Sequence, residues 1–233
     1  MRTTITIAAM TLALLAVPPA GADAPPQTQT RDTQAALTPA AALGLLKAGN
    51  ERFVAGTPRD RDELQLVRVT SRGQYPYAAI LGCIDSRVPP EIVFDAGIGD
   101  VFAARVAGNV LDDEILGSLE FATSIAGARA IVVLGHTECG AAKGACDGVE
   151  LGHLTQTLSH LAPAVHAAKE QVAAPHDAAN PAFVTRVVEL NAQLTARAMT
   201  ERSPILRGLV EQGKLVIVPA VYDVSTGRVT FLG

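Results

Sequence analysis

The chain has no tryptophan, and three tyrosines with six phenylalanines bring aromatics to only 4% of its 233 residues. A core without large rings must be filled by Ala, Val, Leu and Ile, a mix that favours helices packed on a sheet over an aromatic-rich sandwich. Basic runs are missing as well. The 19 Lys and Arg are outnumbered by 23 Asp and Glu, and no basic patch is interleaved with aromatics, so nothing points to nucleic acid as a partner. Cysteine is scarce and odd in number: Cys83, Cys139 and Cys146 cannot all be paired within one chain. Either a thiol stays free or a metal holds some of them. No internal repeat and no second domain is visible, and the length suits one domain with a sizeable core.

One long apolar run is present, at the start. Ile5 to Val17 follows Met1-Arg2, is too short for a comfortable membrane span, and is broken by Pro18, Pro19 and Gly21. Ala20-Gly21-Ala22 supplies a small-x-small cleavage pattern. Residues 1–22 therefore read as a secretory signal, with an uncleaved anchor as the alternative. Export would put the chain in the periplasm or outside the cell, where paired cysteines tend to oxidise. Residues 23–37 are polar and aperiodic and read as a flexible lead-in. The domain proper is expected over residues 38–233, opening with Thr38 as N-cap and Pro39 in the first helical position.

Five strands are expected: Pro76 to Cys83, Val101 to Val106, Ala130 to His136, Lys214 to Val224 and Arg228 to Leu232. Their apolar runs are continuous rather than alternating, as in strands covered on both faces. Helical patterns lie between them at Ile115 to Ile125, Leu151 to Lys169, Phe183 to Arg202 and Pro204 to Gln212. Alternation of this kind implies an α/β fold with a largely parallel sheet of four strands, flanked by helices. The fifth strand, joined to the fourth by the Ser225-Thr226-Gly227 turn, is close enough to pair antiparallel at the edge.

Functional groups in open α/β sheets gather at the carboxyl ends of the strands. The first strand runs into Cys83-Ile84-Asp85-Ser86-Arg87 and the third into His136-Thr137-Glu138-Cys139-Gly140. Were these strands parallel neighbours, Cys83, His136 and Cys139 would meet at one point. Two sulfurs and an imidazole suit a tetrahedral zinc ion, and three protein ligands leave the fourth position for water, as in catalytic sites. Cys146 lies two helical turns beyond Cys139 and is expected to point elsewhere. The competing readings are a Cys83–Cys139 disulfide or cysteines serving as small core residues. Neither accounts for Asp85 and Arg87. A carboxylate beside a metal either binds it or pairs with a cation and hydrogen-bonds to metal-bound water, and an arginine fork suits the second role.

The pairing of C-x-D-S-R (83–87) with H-x-x-C-G (136–140) resembles the signature of the β-class carbonic anhydrases. LLKAGNERF (45–53), RVPPEIVFDAGIGDVFAARVAGN (87–109), GSLEFA (117–122) and VYDVSTGRV (221–229) are also similar to that family. The resemblance implies a zinc enzyme, one ion per chain on Cys83, His136 and Cys139, with Asp85 and Arg87 as catalytic dyad. It would interconvert carbon dioxide and bicarbonate as a homodimer or dimer of dimers, the N-terminal helix wrapping the partner. Close relatives hydrolyse carbon disulfide or carbonyl sulfide on the same site, and a non-catalytic zinc- or bicarbonate-binding protein is the alternative of another class. Some members close the site by moving the aspartate onto zinc, favoured by a bicarbonate pocket of Trp, Arg and Tyr. Arg105 and Tyr222 match, but Ile80 stands where the Trp would be, which implies an incomplete pocket and an Asp85 that stays with Arg87. Arg105 is then expected in subunit packing.

Overall fold

The computed structural model describes residues 28–232; the expected signal segment, residues 1–22, lies outside the described residues. The elements run α1 (Arg31–Ala36), α2 (Pro39–Ala55), α3 (Glu63–Thr70), β1 (Ala78–Gly82), α4 (Pro90–Val93), β2 (Val101–Arg105) and α5 (Asp113–Glu120). They continue with β3 (Ala130–His136), α6 (Gly140–Cys146), α7 (Gly152–Ser159), α8 (Ala162–Lys169), α9 (Pro181–Arg202), α10 (Pro204–Glu211), β4 (Val216–Tyr222) and β5 (Val229–Phe231). A 3₁₀ turn at Ala107–Asn109 follows β2, and a π turn at Phe121–Ile125 continues α5.

The sheet has the order β2-β1-β3-β4-β5. β1 pairs in parallel with β2 and β3, β3 pairs in parallel with β4, and β5 closes the edge antiparallel to β4. This is the α/β architecture that the strand and helix patterns imply. Every residue of β1 and β3 is buried, and strand alternation sends them to two different cores. Ala78, Ile80, Ala130, Val132 and Leu134 face Ala42 and Leu46 of α2 and the Val93-Phe94 pair. Ala79, Leu81, Ile131 and Val133 face Leu116 and Leu119 of α5 and Ala192, Ala196 and Met199 of α9. Helices on both faces explain why the strand sequences show no polar alternation.

Helix ends follow local chemistry. Thr38 accepts from the Ala41 N–H at 3.1 Å with Pro39 in the first turn, and Gly56 ends α2 at φ +68°. The pattern expected as one helix over Leu151 to Lys169 is two helices. Pro163 lies in the first turn of α8, and a proline tolerates a helix start but not a helix interior. The flexible lead-in expected over 23–37 is corrected in its second half, which forms α1. Thr30 caps that helix, and buried Gln34 donates to the Pro76 and Ala126 carbonyls at 2.7 and 2.8 Å. Six residues are too few to display a periodicity, and the anchoring contacts come from residues far along the chain. α3, capped by Asp62, was likewise not anticipated.

Helix α2 lies backbone-to-backbone against the end of α4. A Cβ built on Gly49 would sit 1.8 Å from the Phe94 carbonyl oxygen, whereas one on Gly44 in the same helix meets nothing within 4 Å. The neighbouring Asn50 amide donates to the Val93 and Gly227 carbonyls at 3.0 and 2.8 Å and accepts from the Val229 N–H at 2.8 Å. This buried amide ties α2 to both α4 and the terminal hairpin. Gly49→Ala should therefore lower stability by at least about 2 kcal/mol through forced separation of these backbones. Gly44→Ala should raise stability by roughly 0.5–1 kcal/mol through helix propensity. Chemical denaturation of both variants checks this, and equal midpoints would refute the close packing.

Candidate metal centre

In the order β2-β1-β3-β4-β5 the chain moves outward from β1 to β2 and then returns to the other side of β1. The strand order thus reverses between β1 and β3, the point at which open α/β sheets take ligands at the carboxyl ends of their strands. The register sets Gly82 of β1 beside Leu134 of β3, so Cys83 leaves one strand just where the other reaches His136. Cys139 follows as the residue that opens α6. The donor atoms of Cys83, His136 and Cys139 all lie within 4.8 Å of one another, and all three residues are buried. Among the described residues this is the cluster that qualifies as a metal site. All three cysteines are free thiols, so Cys83 and Cys139 are not a disulfide.

The donors are prepared for a cation. His136 Nδ1 lies 2.9 Å from the Thr137 carbonyl, which makes Nδ1 the protonated nitrogen. Its Nε2 is buried and has no hydrogen-bond partner among the described residues. A fully buried lone pair without a partner is costly unless a ligand takes it. The Cys83 thiol is pushed far below its ordinary range, chiefly because Cys139 donates to it, with smaller help from the Gly108 and Asp85 N–H groups, against the opposing effect of burial. Cys139 is pushed up by that same bond, then by burial and by the charge of Cys83. The pocket thus stabilises one thiolate by itself, and a second requires a positive charge between them. The residues present fit a metal ion that favours sulfur and nitrogen.

Asp85 and Arg87 stand beside this triangle. Arg87 donates from Nε and Nη2 to the two Asp85 carboxylate oxygens at 2.9 and 2.8 Å, and its backbone N–H adds a third bond at 2.9 Å. These bonds hold the Asp85 carboxyl well below the usual carboxylate range, the arginine side chain contributing most. Asp85 Oδ2 remains 3.9 Å from His136 Nε2. Arg87 also donates to the Glu138 carbonyl at 3.2 Å. Glu138 occupies the left-handed region at φ +58°, uncommon for a glutamate. The single guanidinium thereby joins the loop after β1 to the loop after β3.

Arg105, expected in subunit packing, makes bonds within its own chain. Its Nε donates to the Cys83 carbonyl at 2.9 Å and its Nη2 to the Asp85 carbonyl at 2.6 Å, so it clamps the backbone of the ligand loop. Ile80 is fully buried in the core with Tyr222, so that corner of the fold is apolar packing. Sequence reasoning also missed Thr137, whose carbonyl orients His136 while its hydroxyl accepts from the Val224 N–H at 3.1 Å. It missed Gly108, whose N–H meets Cys83 Sγ at 3.4 Å. The similar stretch ending RVAGN at Asn109 was the available signal for Gly108.

Cys146 ends α6, half-buried, and burial pushes its thiol up to about 11. It does not belong to the cluster. Cys146→Ser should therefore retain a full equivalent of bound metal, whereas Cys83→Ser and Cys139→Ser should each lose it. Metal analysis of the three purified variants decides, and a metal-free Cys146→Ser would mean that the ligand set is misassigned.

Comparison with known proteins agrees with this geometry. The family model described as carbonic anhydrase matches residues 78–229, which contain all five site residues. Carbonic anhydrase 2 of Mycobacterium tuberculosis is 36% identical over 196 residues, covering 82% of this chain and 91% of that one. The carbonic anhydrase of Mycolicibacterium smegmatis is also 36% identical, covering 82% and 92%. Among solved structures, the β-carbonic anhydrase CafA of Aspergillus fumigatus superposes with a TM-score of 0.65 at 31% identity, covering 83% of this chain and 89% of that one. With the switch point, the Cys/His/Cys triangle and the Asp–Arg pair all in place, the chain belongs to the β-class carbonic anhydrases.

Proposed function

We propose that the chain catalyses the reversible hydration of carbon dioxide to bicarbonate and a proton, with one zinc ion held by Cys83, His136 and Cys139. The observation that carries this reading is the Asp85–Arg87 pair seated against the ligand triangle, with Asp85 Oδ2 3.9 Å from the unpartnered His136 Nε2. Zinc bound by three protein donors keeps a fourth position for water and lowers that water's pKa from about 15.7 to roughly 7.

The chain's own residues supply orientation. Asp85 is held ionised by Arg87 and is an acceptor only, so it can take the hydrogen bond of the attacking oxygen and aim that oxygen's lone pair at carbon dioxide. Arg87 occupies both carboxylate oxygens and so keeps Asp85 from becoming a ligand. Arg105 holds the carbonyls on either side of Ile84, which limits the travel of the Asp85 backbone. Thr137 fixes the imidazole so that Nε2 faces the two sulfurs.

Asp85→Asn should keep zinc and lose most hydration activity, roughly 100-fold or more for loss of the positioned acceptor. Arg87→Ala should also keep zinc and lose activity, because the freed carboxylate can take the open position. Metal content and stopped-flow hydration, with carbon disulfide and carbonyl sulfide as parallel substrates, provide the test. Near wild-type hydration by either variant would overturn the assigned roles, and turnover of the sulfur substrates alone would redirect the reading to hydrolysis.

We further propose that the chain is exported after cleavage near Asp23 and acts as a homodimer or dimer of dimers. Support for export is the short apolar run with its small-x-small ending. Support for assembly is the exposure of Leu64 (69%), Phe121 (50%) and Ile125 (75%), which a monomer would leave in water. A similar protein from Sordaria macrospora, 25% identical with a TM-score of 0.64, is described as tetrameric. Intact mass and sedimentation on protein from the native host should give an N-terminus at or near Asp23 and a particle of two or four chains. A retained Arg2, or a monomer at micromolar concentration, would each remove the corresponding proposal.

A further inference from the structure

The two metal thiolates are not supported in the same way. Cys139 opens α6 as its N-cap residue, and its side chain makes no capping hydrogen bond there. Cys83 accepts a hydrogen bond from the Gly108 N–H at 3.4 Å, and Gly108 lies in the 3₁₀ turn after β2. That donor has to be placed by something outside the Cys83 loop.

Gly108 is a poor residue to hold a donor still. It sits in the left-handed region at φ +72°, and a Cβ there would come within 3.0 Å of Leu161 and 3.3 Å of Ala141. The position therefore requires glycine, the residue with the greatest backbone freedom. Its N–H and its carbonyl belong to successive peptide planes hinged at the same Cα. Fixing the second plane restrains the first.

Asn191 fixes that second plane. It lies on α9, is 4% exposed, and shares a buried face of the helix with Val187 and Val188, three and four residues before it. Its Nδ2 donates to the Gly108 carbonyl at 2.9 Å. A buried amide among aliphatic side chains is costly and is retained only where it is bonded. This one donates to the peptide plane that adjoins the plane carrying the Gly108 N–H bond to Cys83.

We infer that Asn191 is a positioning residue for the metal centre: it fixes Gly108 so that the Gly108 N–H donates to the Cys83 sulfur. The chain Asn191–Gly108–Cys83 reaches from the middle of a core helix to a ligand atom without touching substrate. An N–H on a thiolate withdraws electron density from it. The metal then sees a weaker donor at Cys83 and keeps more of its positive charge for the open position. The inference rests on the zinc reading above and deepens it.

The test uses the full-length mature protein with cobalt(II) in place of zinc. In wild type, thiolate-to-cobalt charge-transfer bands should appear with the intensity of a tetrahedral site. In Asn191→Leu, close in size and without a donor, those bands should move to lower energy, because an unbonded thiolate gives up an electron more readily. Unchanged bands, with only the melting temperature lowered, would overturn the inference and leave Asn191 as a core amide. Absence of thiolate bands in wild type would instead overturn the zinc reading. Should Asn191→Leu fail to fold, wild type substituted with cadmium-113 decides. A scalar coupling between the metal and the Gly108 amide proton is expected, and its absence would overturn the inference.

Discussion

The parallel pairing of β1 with β3 is the constraint on which everything at the site depends. The register that places Gly82 beside Leu134 leaves Cys83 and His136 at one end of the sheet, although 53 positions separate them in the chain. A shift of the pairing by one residue would turn Ile80, Val132 and their neighbours to the opposite core. The apolar runs of both strands, divided between two helix-covered faces, are therefore what holds the metal ligands together. Hydrophobic burial sets the strand positions, and the strand positions set the chemistry.

Around that point the fold builds outward in shells of backbone carbonyls. Arg87 reaches the Glu138 carbonyl, Arg105 the carbonyls of Cys83 and Asp85, His136 the Thr137 carbonyl, and Asn191 the Gly108 carbonyl. Each bond restrains a peptide plane next to a functional side chain. The two arginines are exposed at the site, yet each satisfies two or more acceptors, which is the geometry a planar fork supplies and a lysine does not. The loops that carry the ligands are thus tied to rigid elements on both sides, and geometry at the metal is inherited from strands and helices.

The donor set also links metal binding to stability. Cys83 favours the thiolate and Cys139 resists it, so the second deprotonation waits for a cation. A metal ion bound there would displace the remaining thiol proton and satisfy the His136 Nε2 lone pair. Free energy gained in that step is free energy of the folded state, since the unfolded chain holds no such triangle. The core helices and the metal are two contributions to one cooperative structure.

Much of this was legible in the sequence. The five strands, the largely parallel sheet and the edge hairpin follow from apolar runs and turn residues, and two short motifs mark the five candidate site residues, all of them local patterns of residue type; the order of the strands came only with the fold. Helix α1, the break between α7 and α8, the clamp made by Arg105 and the support from Thr137, Gly108 and Asn191 were not legible. The break is marked by a local residue, Pro163, that the apolar pattern overrode; the others rest on a partner distant in the chain: Gln34 on Ala126, Arg105 on Cys83, Asn191 on Gly108. A sequence by itself determines which residues can ligate a metal, turn a chain or enter a core, because those properties belong to side chains and their neighbours. Which backbone carbonyl an arginine or an asparagine meets is decided only when strands and helices have packed, because a hydrogen bond depends on a few tenths of an ångström that no local pattern encodes.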